Sequence, residues 1–171
     1  MIRSSFLASI LIVFTLSGCA GYRVGNVSGR ELQGVRSVYV PIVRNTSLQP
    51  SLQGLVTNAI VQRFNDDGTL TVDQNANADS ELDVTVTNVQ EIQVANSTSD
   101  INITTQYQIN ITATVTYVNR RLGRKIFENT VVTGSTTFFT QANIQEGIRQ
   151  AIPLAAQDLA TNIVKQVTEG W

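Results

Sequence analysis

The sequence contains no histidine and a single cysteine, Cys19, among its 171 residues. A disulfide needs two cysteines, and most zinc and iron sites are assembled from His and Cys. Neither a cross-linked scaffold nor a His/Cys metal centre can therefore be built from this chain. The usual tools of hydrolytic and redox catalysis go with them. The carboxylates, Lys165 and the Tyr and Ser hydroxyls are scattered without a spacing that resembles a site. No cofactor is expected, and an enzyme is not expected. Charge is also sparse, at 15% of residues with a formal net charge of −1 and a pI near 5.3. That leaves no basic field for holding nucleic acid.

What is present begins with a processing signal. Arg3 supplies a minimal positive start, Phe6 to Leu16 supply an apolar run, and the small residues Ser17 and Gly18 follow. The run is shorter than the ~20 residues that cross a bilayer as a helix. Leu16-Ser17-Gly18-Cys19 matches the bacterial lipoprotein box, in which the cysteine receives diacylglycerol and becomes the new N-terminus. Residues 1–18 thus read as a cleaved lipoprotein signal peptide and Cys19 as a lipidated anchor; the plainer alternative is a secretory signal with a chance cysteine near the cut. Two or three acyl chains, palmitate among them, hold a protein stably where one does not. Ala20 rather than Asp after the cysteine fits sorting to the outer membrane, with the domain on the periplasmic side. Residues 19–34, rich in Gly and polar side chains, read as a flexible tether, and 35–171 as a single domain.

Within that domain the hydrophobic period changes several times. Val35, Val38, Val40 and Ile42 form a β-branched run that predicts a first strand, ended or placed at an edge by Pro41. From Pro50, the residues Leu52, Leu55, Val56, Ala59, Ile60 and Phe64 recur at helical spacing. A helix is predicted with Pro50 at its first position, Gln49 or Ser47 near the cap and Gly68 at its stop. A short strand at "TLTVD" and a long one at "SELDVTVTNVQEIQV" follow, the latter with a phase slip before Val89 that predicts a bulge. Tyr107, Ile109, Ile111, Ala113, Val115 and Tyr117 keep strict period two, and "IFENTVVTGSTTFF" returns beside them, with Gly134 a bulge or close-approach point. Asn143 and Glu146 then open a second helix as a capping pair. Pro153 predicts a kink or a break into a short and a longer helix. The order β-α-β-β-β-β-α implies an α+β fold: a two-layer, antiparallel-rich mixed sheet of four to five strands with two helices packed on one face.

Two surfaces stand out. Opposite the apolar set of the most regular strand, Gln106, Gln108, Asn110, Thr112, Thr114 and Thr116 are polar and uncharged. Solvated sheet faces normally carry Lys and Glu, so this one reads as a face covered by a wet, polar partner. A simple Thr/Asn compositional bias is the alternative. The turn between the two longest strands carries Arg120, Arg121, Arg124 and Lys125, suited to a phosphorylated lipid head group or an acidic partner; a merely solvated turn is the alternative.

The segments "GVRSVYVPIVRNTSLQPSLQGLVTNAIVQRFNDDGTLTV" and "ADSELDVTV" resemble the LptE family of outer-membrane lipoproteins of lipopolysaccharide assembly. The likeness rests on Val38 to Thr46, the helix to Phe64, Gly68 to Val72 and Ala78-Asp79, and extends more loosely to the C-terminal helix. It implies residence in the lumen of a large LptD-type outer-membrane β-barrel, as a plug and assembly partner in lipopolysaccharide transport. It also implies lipopolysaccharide binding through basic residues, for which Arg120, Arg121, Arg124 and Lys125 are candidates by charge and position. The first half is similar, too, to lipoproteins that activate peptidoglycan synthases, so a tethered activator of such an enzyme is the second expectation.

Overall fold

A computed structural model describes Leu32 and residues 34–75, 77–96, 105–140 and 143–169. The signal peptide, Cys19 and most of the expected tether lie outside the described residues. Leu32 is buried and already part of the core, ahead of Val35.

The elements are β1 (Ser37–Tyr39), β2 (Arg44–Asn45), α1 (Leu52–Asp67), β3 (Thr71–Val72), β4 (Ser80–Asn96), β5 (Thr105–Asn119), β6 (Arg124–Thr140) and α2 (Ile144–Thr168). The sheet has six strands, in the order β3-β1-β4-β5-β6 with β2 also on β4, rather than the expected four to five. The extra strand arises because the predicted first strand is two. Both β1 and β2 run parallel to β4, one at Ser80–Glu81 and the other at Thr85–Val86. Pro41, which has no N–H to give a ladder, lies in the gap between them. β4, β5 and β6 form a long antiparallel meander.

Each helix buries one stripe on the same sheet face. Leu52, Val56, Ile60 and Phe64 do so from α1, and Ala155, Leu159, Ile163 and Val167 from α2. They meet Val84, Val86, Ile111, Ala113 and Val115 in one continuous core. Burying a Leu, Ile, Val or Phe side chain contributes about 1.5–3 kcal/mol, so this period-matched stripe is what holds the two layers together.

Helix ends follow local chemistry. Gly68, at φ 71°, closes α1 with its N–H on the Phe64 carbonyl. The Asn143 side chain accepts from Glu146 N at the start of α2. The start of α1 corrects the expectation: it begins at Leu52, not Pro50. Ser47 N and Oγ both donate to Asn45 Oδ1, and Asn45 Nδ2 donates to the Gln49 carbonyl, so residues 45–49 are held as a polar turn. The helix can begin only after Ser51, which takes the left-handed φ of 62°. The second helix also differs from one of its two expected forms, since α2 runs unbroken through Pro153. Ala151, Ile152, Ala155 and Ala156 around it are buried, and that packing carries the helix across the missing N–H.

The β4 phase slip is a register shift between Val86 and Asn88, with a second between Gln93 and Ala95. Gly134 is not a bulge, because it stays in register with Ile111. It is the close-approach point instead: a Cβ built there would fall under 3.0 Å from the Leu159 and Ala155 backbones of α2.

Candidate functional site: an uncharged sheet face and a basic turn

Both helices lie on one face of the sheet, so the other face of β4, β5 and β6 has no element over it among the described residues. The six predicted β5 residues, Gln106, Gln108, Asn110, Thr112, Thr114 and Thr116, all fall on that face and are half-buried by their neighbours. Register supplies what surrounds them. Thr85, Asn88, Gln90 and Ile92 of β4 stand opposite Thr114, Thr112, Asn110 and Gln108. From β6, Val131, Thr133, Ser135, Thr137 and Phe139 stand opposite Thr114, Thr112, Asn110, Gln108 and Gln106. Every one of these side chains is uncharged, over a patch about 30 Å long and 10 Å wide at strand spacing. Glu91 is the acid nearest by sequence, and it pairs with inward-facing Ile109, which puts it on the other side.

The face is partly self-satisfied. Gln108 Nε2 donates to Asn110 Oδ1 at 2.8 Å, and Thr87 Oγ1 to the Thr112 carbonyl at 3.2 Å. It also carries apolar groups that the single-strand reading missed: Ile92, Val131 and Phe139 are exposed, Phe139 by 66%. The signal for Phe139 was legible in the alternation of "TTFF", which turns Phe138 inward onto Tyr107 and Phe139 outward. The uncharged zone ends toward the start of β4, where Thr116 lies opposite Asp83 and Arg44 reaches Asp83 at 2.9 Å.

The basic turn joins β5 to β6 at that charged end. Its four cations do not converge on one point. Arg120 pairs with Glu81 at 2.7 Å and lies 5.5 Å over the Tyr39 ring, clamping β5 across β4 to β1. Arg121 donates to the Gly34 carbonyl at 2.7 Å and pairs with Asp79 at 3.5 Å. Lys125 pairs with Glu128, and Arg124 is exposed at the start of β6. Under the turn, Tyr117 is buried against Phe127, its ring centroid 5.7 Å away. Burial pushes its hydroxyl up to about 12; the neighbouring Ser80 hydroxyl opposes that shift and the Asp79 charge adds to it. Ser80 gives its proton to the Ser37 carbonyl, and Tyr117 Oη has no partner in hydrogen-bond geometry among the described residues.

A cavity of about 420 Å³ opens between the first turns of α1 and α2. Leu52, Leu55, Ile148 and Ile152 line it, and its charged groups, Glu146 and Arg149, pair with each other. Among the described residues no cluster of three metal-binding side chains occurs, and no helix is long and apolar enough to cross a membrane.

With this geometry in place, the profile of the LptE family, described as lipopolysaccharide-assembly, matches residues 35–167. The chain belongs to the LptE family. No curated protein sequence matches it significantly. Solved structures do match. A hypothetical protein of Chlamydia trachomatis is 13% identical, with 78% of this chain and 95% of that one covered at a TM-score of 0.55. A neuraminyllactose-binding haemagglutinin homologue of Helicobacter pylori is 13% identical, with 86% and 90% covered at 0.53. A minor lipoprotein of Acinetobacter baumannii is 15% identical, with 78% and 92% covered at 0.47. At these identities the first two show a shared fold alone. The LptE match takes in both surfaces described above, from β1 to the last turn of α2.

Proposed function

We propose that this LptE-family protein is a non-enzymatic outer-membrane lipoprotein, anchored through Cys19, whose uncharged sheet face lies against the lumen wall of an LptD-type β-barrel. There it would help assemble and plug the barrel through which lipopolysaccharide is inserted. The observation that carries this reading is the three-strand face from Thr85 to Phe139 without a charged side chain. A barrel lumen is polar and wet. A surface of Thr, Asn and Gln can exchange its water for such a wall through many neutral hydrogen bonds, without desolvating an unpaired charge. Ile92, Val131 and Phe139 add apolar contact around that polar centre. Lipopolysaccharide is the cargo of the assembly on this reading.

The test is to purify the full processed protein from membranes in mild detergent, with a photo-cross-linking residue at Thr112. Recovery of a cross-linked large β-barrel supports the plug. Cross-linking instead to a peptidoglycan synthase, with no barrel recovered, would replace it with the tethered-activator reading.

A further inference from the structure

The described chain starts at the same end of the sheet as the β5–β6 turn, and the two are tied together. Arg121 Nη1 donates to the Gly34 carbonyl at 2.7 Å. Arg121 also pairs with Asp79, whose Oδ2 receives the Arg36 N–H at 2.8 Å. The point at which the N-terminal segment joins the domain is thus fixed beside the turn. Between Cys19 and Leu32 lie 32 − 19 = 13 residue steps, which at full extension reach no more than about 45 Å. An anchor at Cys19 therefore attaches the domain to the bilayer at this end, within about 45 Å of it.

The composition of the tip suits that position. Leu122 stands at its apex, 64% exposed, with Gly123 at φ 62° turning the chain behind it. Arg121 precedes it, Arg124 and Lys125 follow, and all three are exposed. Single exposed apolar side chains are ordinary on a protein surface, and Leu122 differs from the more exposed Ile42 and Leu48 in its setting. A leucine flanked by cations is the composition of a group that enters the membrane interface while its neighbours meet phosphates.

We propose that the β5–β6 turn is a membrane-contact tip, in which Leu122 enters the head-group region of the phospholipid leaflet carrying the Cys19 anchor and Arg124 and Lys125 meet anionic head groups. This rests on the anchoring of Cys19 and not on the barrel. It orients the molecule: the basic turn faces the leaflet, and the uncharged face extends away from it.

The experiment uses the full processed chain. Its mass is measured first, so that an unacylated product, which removes the anchor, is recognised separately from a failure of the tip. Trp171 is the only tryptophan, so Trp171→Phe gives a silent background into which Leu122→Trp places a reporter. In vesicles of phosphatidylethanolamine and phosphatidylglycerol, free of lipopolysaccharide and of any barrel, its emission is expected to shift to the blue and to be quenched by brominated acyl chains. Adding Arg124→Gln and Lys125→Gln, or omitting phosphatidylglycerol, is expected to reduce that quenching. A second reporter, Ile92→Trp, is expected to stay unquenched. Emission typical of water at position 122, equal quenching at 92 and 122, or quenching that requires added lipopolysaccharide would each overturn the proposal. A failed barrel cross-link would leave it standing.

Discussion

Gly134 on β6 lies directly beneath Leu159 on α2, so close that a methyl group on the glycine would overlap the helix backbone at Leu159 and Ala155. The contact joins two elements whose own patterns say nothing of each other, and it fixes how deeply α2 sits on the sheet. Gly134→Ala must push strand and helix apart and loosen the Ala155–Leu159 packing, at an expected cost of about 1–3 kcal/mol. Urea unfolding followed by circular dichroism would measure it; an unchanged midpoint would mean that the helix can lift freely.

The same crossing closes the edge of the sheet. Ser135 N donates to Asp158 Oδ2 at 2.8 Å and Asn162 Nδ2 donates to the Thr133 carbonyl at 2.9 Å, so two outward-pointing main-chain groups of β6 are capped from α2. From Thr130 to Thr140 this edge strand has neither charge nor proline, the features that commonly discourage strand addition. Asp158→Ala combined with Asn162→Ala is expected to cost about 1–2 kcal/mol and to raise the apparent mass in size-exclusion chromatography with light scattering. A monomer of unchanged stability would show that the caps are dispensable.

Tyr117 makes alkaline stability a reporter of burial. Its hydroxyl, near 10.0 when exposed, is pushed up to about 12 in the folded protein, so folding favours the neutral form. The stability this contributes is complete below pH 10 and is lost as pH rises from about 10 to 12, on the order of 2 kcal/mol in all. Tyr117→Phe keeps the ring against Phe127 and removes a buried hydroxyl that has no partner in hydrogen-bond geometry among the described residues. We expect it to be neutral or slightly stabilising at pH 7 and to show a shallower loss between pH 10 and 12. Parallel melting curves for the two proteins across that range would test it.

The cations of the turn divide by what they hold. Arg120→Gln removes a half-buried ion pair to Glu81 and the stacking on Tyr39, and is expected to lower stability by about 1 kcal/mol. Lys125→Gln removes an exposed pair to Glu128 and is expected to stay within about 0.5 kcal/mol of the parent. Thermal melts of the two variants should separate them; equal effects would assign Arg120 no structural share.

The uncharged face gives a test that stability alone would miss. Thr112→Lys at its centre leaves the core untouched, so the melting transition is expected to move little, within about 0.5 kcal/mol. If the face lies against a barrel wall as proposed, the new charge is desolvated there, and recovery of a barrel with the protein is expected to fall sharply. Equal recovery from membranes would place the contact elsewhere.

Several features could be read from the sequence alone because their causes are local. Strict alternation from Tyr107 to Tyr117 sends Ile109, Ile111, Ala113 and Val115 inward whatever packs on them. The 3.6-residue stripe of α1, the Asn143–Glu146 cap and the Gly68 stop follow in the same way from neighbours within one turn. The tertiary structure decided what depends on residues far apart. The Asn45 side chain delays α1, and β2 adds to β4 some forty positions away, which turns one predicted strand into two. Arg120 finds Glu81, so a cation that looked available for ligand is largely a clamp, while Arg121 finds Gly34 and ties the turn to the entry of the chain. Periodicity reports which way a side chain points and carries no information about what will stand opposite it. The charge-free character of β5 was therefore legible, but the three-strand face it belongs to, with Phe139 and Ile92 on it, came only from register.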